Sequence, residues 1–270
     1  MIRVLSTDDL TEDICNELKQ LISNSMSNHE QLVVLSDNYE IVTSVMIDIV
    51  KDLLYNNFYL YCSCNSWSLS GVNQTIDNVS YTIATKVKVY YVGTEEAVQS
   101  NLNIINSQIE EIIKPLTYTN SNIDKILYVN NYFVKKNYSI GSGHIYNIIT
   151  NKIGTIAHYT RLCKEIFDRL GIANKYMKIS NNTDNAIGEW LIIKNNDDWY
   201  NFGIGFTKVG AVTTNHFEIN TYNLKSDEYI FNLIGYETTS KYIGVSFEED
   251  IKCLNTKYDW LINEENENGG

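Results

Sequence analysis

Proline occurs once in this chain, at Pro115, so no proline-rich linker divides it. Basic clusters are missing as well. Lys135-Lys136 is only a pair, and the formal net charge is −12. That balance repels phosphate backbones and anionic membrane surfaces, which argues against general nucleic-acid binding. No apolar run approaches the roughly 20 residues of a bilayer-spanning helix. The stretch from Met1 to Leu21 carries Asp8, Asp9, Glu12 and Asp13. A secretory signal needs a basic start and an apolar stretch, and neither is there. The expected location is therefore the cytoplasm, or an assembled particle. Cysteine is sparse: Cys15, Cys62, Cys64, Cys163 and Cys253. Cys62 and Cys64 alternate on what reads as a strand, so both would share one face. No second Cys or His pair completes a metal site, so neither a metal nor a cofactor is expected.

What remains is an ordinary globular composition. Hydrophobic residues make up 44% and charged residues 20% of 270, enough for one large domain or two small ones. Asn, Ile, Tyr and Lys are favoured by AT-rich codons, so a low-GC genome accounts for the skew. Helical spacing recurs over Thr7 to Asn24, with Asp8 or Asp9 as the expected cap, and over Tyr39 to Tyr55. Phe58 to Ser68 and Val79 to Val92 read as strands, with Ser70 to Asn73 as the connection. Thr94 is expected to cap a helix reaching Leu116, and another helix spans Asn120 to Asn137. The tail from Asn263 to Gly270 is acidic and without apolar residues, so it reads as disordered.

The segment from about Asp124 to Phe206 resembles the transglutaminase-like superfamily, whose fold is papain-type. A helix reading Val129-Asn130-Asn131-Tyr132-Phe133 is similar to the one that precedes the family core. Gly154-Thr155-Ile156-Ala157-His158-Tyr159-Thr160 then stands where the family has its nucleophile motif. The helix running from Arg161 to Leu170 and closing at Gly171-Ile172 resembles the family's central helix. Gly188-Glu189-Trp190-Leu191 and Trp199-Tyr200-Asn201-Phe202-Gly203 fit the two strands that follow. The resemblance implies an α+β fold: a central helix packed on an antiparallel sheet, preceded by an N-terminal α/β extension. It implies an extension over residues 1–118, a core over 119–262 and a tail over 263–270.

Chemistry of this type needs a thiolate at a helix N-terminus, a His base and an Asp or Asn to orient it. On the resemblance, those three positions are held by Ile156, Gly188 and Gly203, none of which has the required group. Cys163 lies seven residues beyond Ile156, roughly 10 Å along a helix, and reads as a core thiol. His158, Tyr159, Glu189, Trp190, Trp199 and Tyr200 are the candidates for a cleft or interface. Trp190, Trp199 and Tyr200 are expected to pack the sheet onto the central helix, and Leu162, Ile166, Phe167 and Leu170 to form that helix's buried face. His216 and Glu218 share one face of a strand pattern, without a nucleophile beside them. Asn195 to Asp198 reads as a hairpin turn, and Gly203-x-Gly205 lacks the third glycine and helix of a phosphate loop.

The resulting expectation is a catalytically inactive transglutaminase-like protein that works as a structural or protein-binding module. Other proteins, including subunits of a larger assembly, are the expected partners. A phage or phage-like particle of a low-GC bacterium is a setting that fits. The alternatives are a residual cysteine-dependent amidase, protease or transglutaminase using Cys163, and a cleft that binds peptides or glycans.

Overall fold

A computed structural model of the chain describes residues 2–35, 38–118, 121–135, 139–140, 143–180, 186–206, 212–219 and 239–242. The expected disordered tail and Cys253 lie outside these residues. Contacts divide the chain into two compact units, with the division between Leu102 and Asn103. Sequence reading placed the boundary near residue 118.

In the first unit, β1 (Ile2–Val4) pairs in parallel with β3 (Tyr39–Ile41). The first helix, α1 (Glu12–Ser27), is capped by Thr11, whose side chain accepts the Ile14 N–H. The expected caps Asp8 and Asp9 instead sit in a preceding 3-10 turn. There the Asp9 carboxylate accepts the N–H groups of Leu5 and Ser6, so it is already engaged one turn too early. Cys15, Leu18, Ile22 and Met26 bury one stripe of α1. β2 (Leu32–Val34) follows, and α2 (Thr43–Asn56) starts four residues later than expected because Tyr39–Ile41 is taken up by β3.

Phe58–Ser63 is helix α3, not a strand. Asn57 caps it by accepting the Leu60 N–H at 3.1 Å, and this local bond overrides the alternating pattern. Cys62 and Cys64 consequently lie on different elements. β4 (Cys64–Ile76) and β5 (Val79–Tyr91) form a long hairpin. Its turn is Asp77-Asn78, with φ of 51° and 66°, a left-handed pair of the kind that suits the twist of a hairpin. The expected turn at Ser70 to Asn73 is instead continuous strand. Gly71 marks a close approach: a Cβ there would stand 2.7 Å from the Ile83 carbonyl oxygen. The sheet order is β2-β5-β4. Its inner side adds Val33, Val87 and Val89 to a core shared with α1 and α2. Thr94 caps α4 (Glu95–Ile113), accepting the Ala97 N–H. A 3-10 turn containing Pro115 follows.

The second unit takes in α4 from Asn103 onward and the turn at Pro115, then α5 (Asn122–Lys135), β6 (Ser139–Ile140), α6 (Ile145–Asn151), β7 (Ile153–Gly154) and α7 (Ile156–Arg169). It continues with β8 (Asn174–Ser180), β9 (Ala186–Asn195), β10 (Asp198–Phe206), β11 (Val212–Ile219) and β12 (Thr239–Tyr242). These last five form one antiparallel sheet, ordered β11-β10-β9-β8-β12. Helix α7 ends as the sequence implied. Ile172 N–H returns to the Phe167 carbonyl and Gly171 N–H to that of Asp168, with Gly171 at φ 71°; this is a Schellman closure. Leu162, Ile166 and Phe167 are buried, while Leu170 at the helix end is half-buried.

Tyr176, Leu191 and Phe202 form one row across β8, β9 and β10. Phe167 of α7 meets Phe202 edge-on at 5.0 Å, so this row faces the helix. Tyr200 shares that face. Trp199 cannot, because consecutive strand residues point to opposite sides. Trp190 also lies on the far face, where its indole donates to Asn201 Oδ1 at 2.7 Å. The expectation that both tryptophans pack the sheet onto α7 is therefore corrected. The architecture is the expected α+β one, a central helix on an antiparallel sheet. Among the described residues, no helix is long and apolar enough to cross a membrane.

Candidate functional site

The N-terminal end of α7 is built by β7 and the Thr155 cap. Thr155 Oγ1 accepts the His158 N–H at 3.3 Å, which fixes the direction of the first turn. Ile156 opens the helix and is 38% exposed. The position that the resemblance assigns to the nucleophile thus stands at a solvent-facing helix start and carries a hydrocarbon. Gly154, two residues earlier, packs so tightly on Ile148 that a Cβ would collide with its side chain.

Six further residues converge here. The His158 ring lies 5.8 Å from that of His144, which precedes α6. The Arg161 guanidinium carbon lies 5.1 Å from the centre of the Tyr176 ring. The Tyr176 hydroxyl donates to Glu189 Oε2 at 2.7 Å and stands 3.4 Å from the Ala157 carbonyl oxygen. Thr160 donates to the Glu189 carbonyl at 3.4 Å. Burial first, then the nearby His144 and Arg161, pull the His158 pKa down to about 4. The imidazole is therefore neutral at pH 7.

The remaining candidates separate. Tyr159 is fully buried; its hydroxyl donates to the Lys152 carbonyl and its ring meets Phe133 at 5.8 Å. It is a core residue and lines no cleft. Trp190 and Trp199 lie on the sheet face turned away from α7, and Tyr200 is buried. His158 and Glu189 are brought together through Tyr176, Ala157 and Thr160. Gly188 pairs with Ile179 in β9, next to the helix-facing Glu189. Gly203 pairs with His216 across β10 and β11. The side chains of His216 and Glu218 lie outside the described residues. Cys163 is fully buried, and burial pushes its thiol far above the ordinary cysteine range. Such a thiol stays protonated.

Sequence reasoning missed His144, Arg161 and Tyr176. His144 could have been found as the polar residue immediately before the apolar run of α6. Arg161 reads as an exposed helix residue, yet it is 6% exposed, and only the fold brings it to Tyr176. Among the described residues, no group of three or more His, Cys, Asp or Glu side chains is placed to hold a metal ion.

No family model matches the chain, and no curated protein matches it. Solved structures share part of the arrangement. A protein described as a TGase is 13% identical over 74% of this chain and 58% of its own, with a TM-score of 0.35. A protein titled a candidate protease, from Parabacteroides distasonis ATCC 8503, is 8% identical over 56% of this chain and 41% of its own, at 0.30. A candidate cysteine protease from Cytophaga hutchinsonii is 11% identical over 72% of this chain and 84% of its own, at 0.31. The chain thus spans less than two thirds of the first two. Likeness at this level reaches neither substrate nor chemistry.

Proposed function

We propose that this chain is a non-catalytic protein of transglutaminase-like design that acts through protein contacts, as a structural or binding module. The observation that carries the reading is the placement of thiol and helix start. The exposed first position of α7 holds Ile156, while the helix's single cysteine, Cys163, is sealed in the core. Thiolate chemistry needs the reverse arrangement, an accessible sulfur held by the helix dipole. Gly188 and Gly203 add no base and no orienting carboxylate. What lies at the site is the neutral His158 and its neighbour His144 beside an Arg161–Tyr176–Glu189 network, suited to holding shape and offering polar contacts. A subunit of a phage or phage-like particle is the setting this reading favours.

The test is alkylation of the native protein with iodoacetamide, read by peptide mass spectrometry, alongside the variant Ile156→Cys. Cys163 is expected to stay unlabelled until the protein unfolds, and the new thiol at position 156 to label readily. Neither protein is expected to cleave or cross-link glutamine-containing peptides. Fast labelling of native Cys163, or amide turnover that disappears in Cys163→Ala, would overturn the proposal.

A further inference from the structure

We propose that β4 is a self-pairing edge through which two copies of this chain join antiparallel about a two-fold axis near Asn73. Among the described residues, β4 is hydrogen-bonded on one side only, by β5. At thirteen residues it is far longer than the edge strands that soluble proteins usually leave open. The usual safeguards are charge, proline and bulges. Residues 53–76 contain no Asp, Glu, Lys, Arg or Pro. The hairpin has two bulges: Asn65 is the extra residue on β4, and Thr85 is the extra residue on β5, opposite Ser70/Gly71. They leave Gly71–Ile76 in regular register up to the turn.

That outer part is also short of cover. Asn73, Thr75, Ser80 and Thr82 are exposed on one face; on the other, Val72 is 48% and Val79 50% exposed while Ile76 and Ile83 between them are buried. A two-stranded ribbon with one face open to water gains from a third strand along its free edge.

Charge selects the occupant. Each copy carries −12, so two copies repel wherever acidic surfaces meet. Along β4 there is no charge to repel. A two-fold near Asn73 sets Val72 against Gln74 and Gly71 against Thr75 of the other copy. It keeps the two Asp77 carboxylates apart, each opposite Leu69. Two-fold pairing consumes both edges and closes, so it yields a dimer and not a fibre. This inference is independent of whether the α7 site is catalytic.

Sedimentation of the full chain at about 0.5 mM tests it. The expected mass is twice the 31.0 kDa of the chain. Val72→Lys/Gln74→Lys sets lysine against lysine across the axis and should remain monomeric with an unchanged circular dichroism spectrum. Mixing it with Val72→Glu/Gln74→Glu, itself monomeric, should restore the dimer. Asn73→Cys in a Cys253→Ser background should form an intermolecular disulfide on mild oxidation, which gives a readout even where the lysine variant fails to fold. A monomeric wild type, a lysine variant that dimerises as well as wild type, growth of higher polymers, or no cross-link at position 73 would each overturn the proposal.

Discussion

Protonating His158 inside the fold adds a positive charge beside Arg161 and His144, at the end of α7 where the helix dipole is already positive. Its pKa of about 4 in the folded chain lies below the ordinary 6.5. Between those values the unfolded chain holds the proton and the folded chain does not. Stability is therefore fully present above about pH 6.5 and declines as pH falls towards 4. The shift sets a ceiling of about 3 kcal/mol, and solvent screening of this half-buried ring reduces it to about 1–2 kcal/mol. Urea midpoints measured between pH 7 and 4 should fall for the wild type and fall less steeply for His158→Gln. Equal slopes in the two proteins would show that His158 carries no such linkage. The burial of this residue could not have been inferred from sequence, because His144, from the segment before α6, reaches it only through the fold.

At the scale of elements, Gly154 shows how one residue sets the start of α7. It occupies β7, and its missing Cβ lets the strand lie directly on buried Ile148 of α6. Gly154→Ala has to displace either α6 or the cap Thr155, at a cost of about 1–3 kcal/mol. A thermal unfolding scan should show the loss, whereas Gly171→Asn at the left-handed helix end should be tolerated better. An unchanged midpoint for Gly154→Ala would mean that α6 and α7 have slack that their packing does not suggest. The sequence made the long elements legible. Leu18 and Ile22 in α1, Val45 and Ile49 in α2, and Ile166 in α7 repeat at helical spacing, and β9 and β10 flank a clear turn. It misled where local bonds compete with pattern. Asn57 turned an alternating Phe58–Ser63 into a helix, and Asp77-Asn78 made a turn without the glycine that drew attention to Gly71. The site was half legible for the same reason. Ile156 and His158 lie in a contiguous motif, but Tyr176 joins Glu189 across two strands whose pairing no local pattern specifies.

For the whole molecule, the governing quantity is a charge of −12 against one long uncharged stretch over residues 53–76. Pairing through β4 is held by backbone hydrogen bonds and apolar contact, which salt barely weakens, while the opposing repulsion between two acidic copies is screened. The Debye length is about 10 Å at 0.1 M and shrinks towards 3 Å at 1 M. Raising sodium chloride from about 0.02 M to about 0.5 M should therefore strengthen dimerisation of the wild type at pH 7. The sign is the informative part. An interface made of ion pairs, or one in which acidic surface docks on the few lysines of the sheet, such as Lys86 and Lys88 of β5, weakens over the same range. Sedimentation at fixed protein concentration across a salt series separates the two. A dimer fraction that rises with salt fits a neutral edge inside a repelling shell. One that falls with salt places the contact on charged surface and removes β4 as its seat.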